Sequence, residues 1–317
     1  MKVLFVHSSN TSYGIESFIK SQAESLKEQG LEIDYYPVKG KGIKGYWDNI
    51  KFIKKISNEY DIIHAHYGLI GLLCALTLTR KPIVLSVMGS DAYGSYNNEG
   101  KRLFSSYFIM FLTQLALIRA DAVIAKSINI YKYVPNKKKT EIIANGVNFS
   151  LFRPMDKDQC RKELKIDPNK RVVLFLANPN DPRKNFDLVK RAVQKMNEPG
   201  LQLINPYPIK HEDFVRYLNA SDNFILTSYN EGSPNVIKEA MACNIPIIST
   251  RVGDVDEIIG KTEGCFLVDY NTDDIVKKIN LSMSFDKRTT GRKDIAHLDS
   301  KVVAQKIIRI YEKILLK

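Results

Sequence analysis

The feature that most constrains the fold of this 317-residue chain is an alternation. Short continuous apolar runs are separated by longer segments whose apolar residues recur with the helical period. Residues 2–7 form the first run, as expected of a strand buried on both faces of a parallel sheet. In residues 14–29, Ile15, Phe18, Ile19, Ala23 and Leu26 fall on one helical face, and Gly30 stands where a helix C-terminus favours glycine. Further strands are expected at 32–38, 61–65, 82–88, 121–125 and 141–144, with helical patterns between them. This order implies a parallel sheet covered by helices on both faces.

The pattern breaks at residues 145–154, which run from Asn145-Gly146 to Arg153-Pro154 with turn residues at both ends. It then restarts, with strands expected at 171–177, 201–205, 223–227, 245–250 and 264–268. Helices are expected at 185–196, 211–218, 234–243, 255–259 and 272–283, and a last one carries Val303, Ile307, Ile310 and Ile314 on one stripe. A chain of this length is too long for one ordinary core. The fold class read here is α/β, with two doubly wound domains facing each other across a cleft. The N-terminal domain is expected over 1–148, joined by the terminal helix 301–317, and the C-terminal domain over 149–300. In such sheets, ligands bind outside the strand C-termini.

Composition narrows the class further. No signal peptide is read at the N-terminus, and the longest apolar-rich run, 103–118, has 16 residues that include Ser105, Ser106, Thr113 and Gln114. That is too short and too polar for a membrane span. The four cysteines, at 74, 160, 243 and 265, form no C-x-x-C pair, so they read as free thiols in a cytoplasmic protein. The net charge of +12 favours anionic partners: phosphorylated small molecules, lipid headgroups or nucleic acid. Six lysines lie in the 17 residues 39–55, interleaved with Trp47, Ile50, Phe52, Ile53 and Ile56. This is either a solvated helix with an ordinary core side or a patch touching an anionic membrane surface.

Several short patterns are set aside. Gly40-Lys41-Gly42-Ile43-Lys44-Gly45 spells G-x-G-x-x-G but follows the second strand, and reads as a flexible loop. Gly260-Lys261-Thr262 fails as a P-loop because Val255 occupies the first glycine position. Asp254-Val255-Asp256 opens a short helix and reads as helix capping. His64 and His66 lack a third ligand for zinc, and no metal site is expected.

The strongest signal is the segment from Ser228 to Ala242, after the apolar strand Phe224-Ile225-Leu226. Gly232 and Ser233 make a tight turn, and Pro234 suits the first helical position. The amides at that helix start suit a diphosphate. Glu231 stands before the helix and Glu239 eight positions on, two turns later, so both carboxylates can address one ligand from points about 12 Å apart.

The run from Glu231 to Glu239 resembles the E-x7-E motif of retaining GT-B glycosyltransferases, specifically glycosyltransferase family 4. Residues 245–250 with Gly253 and Glu257 resemble the family's next strand and loop, and Asn145 to Pro154 its interdomain segment. His64-Ala65-His66 and Gly89-Ser90-Asp91 resemble its N-terminal motifs. The resemblance implies a GT-B fold of two Rossmann-like domains, acceptor-side and donor-binding. It implies that Glu231 contacts the transferred sugar, that Glu239 binds the ribose hydroxyls, and that the backbone of Gly232, Ser233, Pro234, Asn235 and Val236 holds the diphosphate and sugar. Lys184 matches the family's lysine that neutralises the leaving diphosphate. The family's arginine is replaced by Asn178, and Arg183 is the neighbouring guanidinium. Gly14 matches the glycine of the first loop. His66 either faces the reacting sugar or is satisfied within the sheet edge; Asp91 either positions the acceptor or caps a loop.

The expected function is retaining, metal-independent transfer of a hexose in cell-surface polysaccharide synthesis. The donor would be a UDP- or GDP-linked sugar and the acceptor a glycan or lipid-linked molecule. No further cofactor is expected. The location is cytoplasmic, at the inner face of the membrane. The alternatives are an epimerase or hydrolase of sugar nucleotides on the same fold, and a polyanion-binding protein with a degenerate site.

Overall fold

The computed structural model describes residues 1–9, 15–40, 42–95 and 102–316. The chain divides into two compact units, Met1–Gly146 with Ser300–Lys317, and Val147–Asp299. The first contains β1 (Lys2–Ser8), α1 (Ser17–Lys27), β2 (Glu32–Val38), α2 (Gly42–Ile56), β3 (Ile62–His66), α3 (Gly68–Leu76) and β4 (Ile83–Val87). It continues through α4 (Ser90–Tyr93), α5 (Phe104–Arg119), β5 (Ala122–Ala125), α6 (Ile128–Tyr131) and β6 (Thr140–Ile142). The second contains α7 (Lys157–Leu164), β7 (Arg171–Leu174), α8 (Phe186–Met196), β8 (Leu201–Ile204), α9 (Phe214–Ala220), β9 (Asn223–Leu226) and α10 (Asn235–Ala242). β10 (Ile247–Thr250), α11 (Val255–Ile259), β11 (Phe266–Val268), α12 (Thr272–Phe285) and α13 (Gly291–Asp294) complete it, and α14 (Ser300–Leu315) returns to the first unit.

All strand pairs are parallel. The first sheet has the order β2-β1-β3-β4-β5-β6 and the second β11-β10-β9-β7-β8. The two-residue period of a strand sorts the first unit's core into two layers. Leu4, Val6, Ile63, Ala65, Leu85 and Val87 pack with α3 and α5 residues on one face. Val3, Phe5, Ile62 and Val84 pack on the other with Ile19, Ala23 and Leu26 of α1 and Val303, Ile307, Ile310, Tyr311 and Ile314 of α14. Each such aliphatic side chain contributes about 1.5–3 kcal/mol on full burial, so the stripe on α14 makes it an integral part of the N-terminal core.

The Gly40–Gly45 run is not a flexible loop throughout, because α2 begins inside it at Gly42. The core side of α2, with Ile53 fully buried and Ile50 and Ile56 half-buried, extends the helix back to that point. Its outer side carries Trp47 beneath Lys51, and Phe52 stacked on Tyr36. All four cysteines are free.

His64 lies on the α14 face, wholly buried, with Nδ1 2.5 Å from the Tyr311 hydroxyl and Nε2 2.8 Å from Ser86 Oγ. Burial, aided by the charge of Lys126, holds its pKa well below the ordinary histidine value, so it is neutral. Tyr311→Phe removes one partner and leaves a buried ring nitrogen unsatisfied. The expected loss is about 1–3 kcal/mol, read as a lower denaturation midpoint with unchanged native circular dichroism.

Candidate functional site

In the second sheet the chain leaves β7 towards β8, then returns to the other side of β7 as β9. The loops after β7 and β9 therefore diverge at a topological switch point, where doubly wound sheets take ligands. They are stitched together there. Thr227 Oγ1 donates to the carbonyls of Lys184 at 3.1 Å and Asn185 at 3.0 Å, and the Tyr229 amide donates to Arg183 O at 2.9 Å. Lys184 Nζ donates to Glu231 Oε1 at 2.5 Å, and both side chains keep partial contact with solvent.

Arg183 is differently placed. Its guanidinium folds back on Asp181, with Nε 3.1 Å from Oδ1 and Nη2 2.8 Å from Oδ2, and is largely exposed. Burial alone would raise the Asp181 pKa; the hydrogen bonds from Arg183 outweigh it and hold the carboxyl below its ordinary value. Asn178 accepts the Asp181 amide through its carbonyl and the Asn180 amide through Oδ1, so it shapes the loop.

Helix α10 begins at Asn235, with Pro234 as the extended N-cap at φ −68° rather than as the first helical residue. The first-turn amides of a helix have no intrahelical acceptors, and Glu231, Gly232, Ser233, Asn235 and Val236 remain half-exposed around them. Asn235 Oδ1 has no hydrogen-bond partner. Behind this turn lies a polar relay that sequence reasoning missed. Fully buried Lys238 donates to Ser233 Oγ at 2.7 Å, and Ser233 Oγ donates to Asp254 Oδ2 at 2.6 Å. Burial pushes the Lys238 pKa down to about 8 against the pull of Asp254 and Glu239. Asp254 occupies the N-cap position of α11, with Asp256 in the first turn, but its carboxylate makes no capping bond there and turns inward to Ser233. Gly253, at φ +58°, brings its backbone against the same turn, where an added Cβ would stand 2.7 Å from Gly232 O.

Glu239 is buried and accepts from His211 Nε2 at 2.6 Å. His211 follows β8 and is flanked by the rings of Phe152 and Phe214 at 5.3 and 5.2 Å. Burial lowers the imidazole pKa, but the hydrogen bond and charge of Glu239 outweigh it, and the net shift is upward. The signal for this residue in the sequence is slight: a lone histidine just beyond a strand's C-terminal end.

The N-terminal candidates face inward. His66, the last residue of β3, is fully buried against Phe5 and His64, at 4.7 and 4.4 Å between ring centroids. Neither ring nitrogen has a hydrogen-bond partner, and burial holds its pKa well below the ordinary value. Its ring is thus neither exposed nor satisfied at the sheet edge. The Asp91 carboxylate accepts the amides of Gly68, Met88 and Gly89 at 3.0, 3.1 and 2.8 Å. It braces the loops after β3 and β4 and has no free face for an acceptor. Gly14 lies outside the described residues. Among the described residues no group of three or more His, Cys, Asp or Glu is placed to hold a metal ion.

The model of Glycosyltransferase Family 4 matches residues 22–151, and that of Glycosyl transferases group 1 matches residues 204–289. These successive matches are those of a glycosyltransferase of the family 4 type, and the architecture is GT-B. It is 26% identical over 237 residues to TuaC of Bacillus subtilis (strain 168), a glycosyltransferase provisionally assigned to teichuronic acid biosynthesis; the match covers 67% of this chain and 58% of TuaC. It is also 26% identical over 234 residues to a D-inositol 3-phosphate glycosyltransferase of Mycobacterium marinum, covering 62% of this chain and 49% of that protein. The chain thus spans about half the length of these relatives. Anabaena HepE, solved in complex with UDP, superimposes with a TM-score of 0.75 at 18% identity over 99% of this chain and all of HepE.

Two outcomes follow from the site's electrostatics. Lys238→Met leaves Asp254 buried without its cation and is expected to cost about 3 kcal/mol. Thermal unfolding would show it, and adding Asp254→Asn should recover part of the loss. For His211 the folded-state pKa is raised, so the stability from its pairing with Glu239 is complete below about 6.5. That stability is lost as pH rises through the folded-state value. A melting-temperature profile against pH should fall across this window in the native chain and flatten in His211→Gln.

Proposed function

We propose that the chain transfers a hexose, with retention at the anomeric carbon, from a UDP- or GDP-linked donor to a glycan or lipid-linked acceptor in cell-surface polysaccharide synthesis. The observation that carries this reading is the Lys184–Glu231 pair at the switch point of the second sheet, beside the half-exposed start of α10. When the bond from the anomeric carbon to the diphosphate oxygen breaks, the electron pair stays on the diphosphate. Stabilising that charge is the largest demand on the site. Lys184 and the α10 amides supply positive charge without a metal ion. Glu231, relieved of Lys184 by the incoming diphosphate, turns to the sugar hydroxyls, and Glu239, held by His211, takes the ribose hydroxyls. Arg183 adds charge from the rim once it exchanges Asp181 for phosphate.

HepE has been solved with UDP and with UDP-glucose, which supports a nucleotide-sugar donor on this fold. TuaC supports a polymer of the cell surface as the destination.

Nucleoside diphosphate release from a panel of UDP- and GDP-hexoses, with cell-envelope acceptors, tests the reading. Glu231→Gln should lower turnover by about a hundredfold or more while binding the nucleoside diphosphate at least as tightly as the native chain, because Lys184 is freed. Lys184→Ala should weaken both. Native turnover in Glu231→Gln would end the proposal, and donor consumption that needs no acceptor would reassign the chain to hydrolysis or epimerisation.

A further inference from the structure

Helix α5 departs from the usual surface pattern. Phe104, Phe108, Phe111, Leu115 and Ile118 recur at alternating four- and three-residue steps, which places them on one narrow face. That face points outward: the five are 92%, 66%, 58%, 41% and 67% exposed. Tyr107 borders them, with the Arg102 guanidinium 5.5 Å from its ring centroid. The opposite face is the buried one, where Ser106, Thr113, Ala116 and Leu117 pack inward and Gly68 of α3 lets the two helices approach at Thr113. The outward ridge is about 21 Å long at 1.5 Å per residue.

The surroundings carry one sign of charge. Residues 102–120 and 126–140 contain no aspartate or glutamate. Lys139 donates to Ile118 O at 2.8 Å, which places the Lys137-Lys138-Lys139 turn against the C-terminal end of the ridge. Arg119 donates to Thr79 O at 3.5 Å, which brings exposed Leu78 and the following Arg80 and Lys81 to the same end. Asp121, the next acid along the chain, is occupied by the Ile83 amide at 2.8 Å.

We propose that this face of α5 docks on an anionic lipid surface, the ridge lying in the interface and the lysines and arginines meeting the headgroups. A long apolar ridge with basic flanks matches both layers of such a surface at once. A second copy of the chain would set like charges against each other around the ridge. No helix among the described residues is long and apolar enough to cross a membrane, so the contact is parallel to the surface. The inference is independent of donor chemistry, because no residue of the sugar-nucleotide site takes part.

Flotation of the full chain with phosphatidylglycerol–phosphatidylcholine vesicles, and with phosphatidylcholine vesicles alone, tests it without donor or acceptor. The native chain should float with the anionic vesicles, less so as salt rises. Phe108→Asp with Phe111→Asp should weaken partitioning by about tenfold or more, with an unchanged melting temperature because both side chains are exposed. Lys137→Gln with Lys138→Gln should narrow the preference for anionic over neutral vesicles. The proposal is overturned if the native chain ignores anionic vesicles or the aspartate variant floats equally well. It is also overturned if the native chain self-associates through this face, with the aspartate pair abolishing a dimer seen in sedimentation.

Discussion

The turn that opens α10 depends on a lysine ammonium with no water around it. Lys238 stands inside the helix whose start it supports; it donates to Ser233, which in turn donates to Asp254, and the charges of Asp254 and Glu239 favour its protonated form. A buried unpaired cation would cost several kcal/mol or shed its proton; here the partner carboxylate comes from the loop after β10, on a neighbouring strand. One ion relay thus fixes the relation of two loops. The bare backbone of Gly253, pressed against Gly232, fixes it a second time. The exposed amides of the turn can keep their geometry without a ligand because everything beneath them is already decided.

The same principle, applied differently, explains why the N-terminal motifs do not present their side chains. Strand alternation sends His64 and His66 to the α14 face together with Phe5, and that face is covered. His64 is consumed by Ser86 and Tyr311. Asp91 is consumed by three amides that have no partner in regular structure. These residues hold the C-terminal edge of the first sheet in shape, so a family motif here encodes loop architecture as much as chemistry.

Much of the fold was legible from period alone. Runs such as residues 2–7 and 121–125 are apolar on both strand faces, which only a sheet covered on both sides accommodates, and the single stripe on α14 announced a packed terminal helix. What the sequence hid are relations between distant loops. Nothing in the spacing of Lys238 and Asp254 says that they share a serine, and Asp254 at a helix start reads naturally as a cap until the carboxylate is seen turned away from it. Likewise Glu231 and Glu239 were visible as a pair, but their partners, Lys184 and His211, lie 47 and 28 residues earlier, and only the strand order brings them near. Pro234, its φ of −68° fixed by its own ring, is extended at ψ 115° and stands as the N-cap, so the helix begins one position later, at Asn235.

Those two carboxylates show how the site stays poised. Each has a partner from a loop on another strand: the Lys184 ammonium for half-buried Glu231, and the His211 imidazole for buried Glu239. The partners differ in kind. Lys184 is a flexible ammonium, free to trade one anion for another with little change in its surroundings. His211 lies against two aromatic rings and holds Glu239 by a single nitrogen. On the proposed reading, an entering diphosphate competes for the first pair and ribose hydroxyls meet the second. On that reading the end of the motif that changes partner is built on a flexible ammonium, and the end that only holds is built on an imidazole set against aromatic rings.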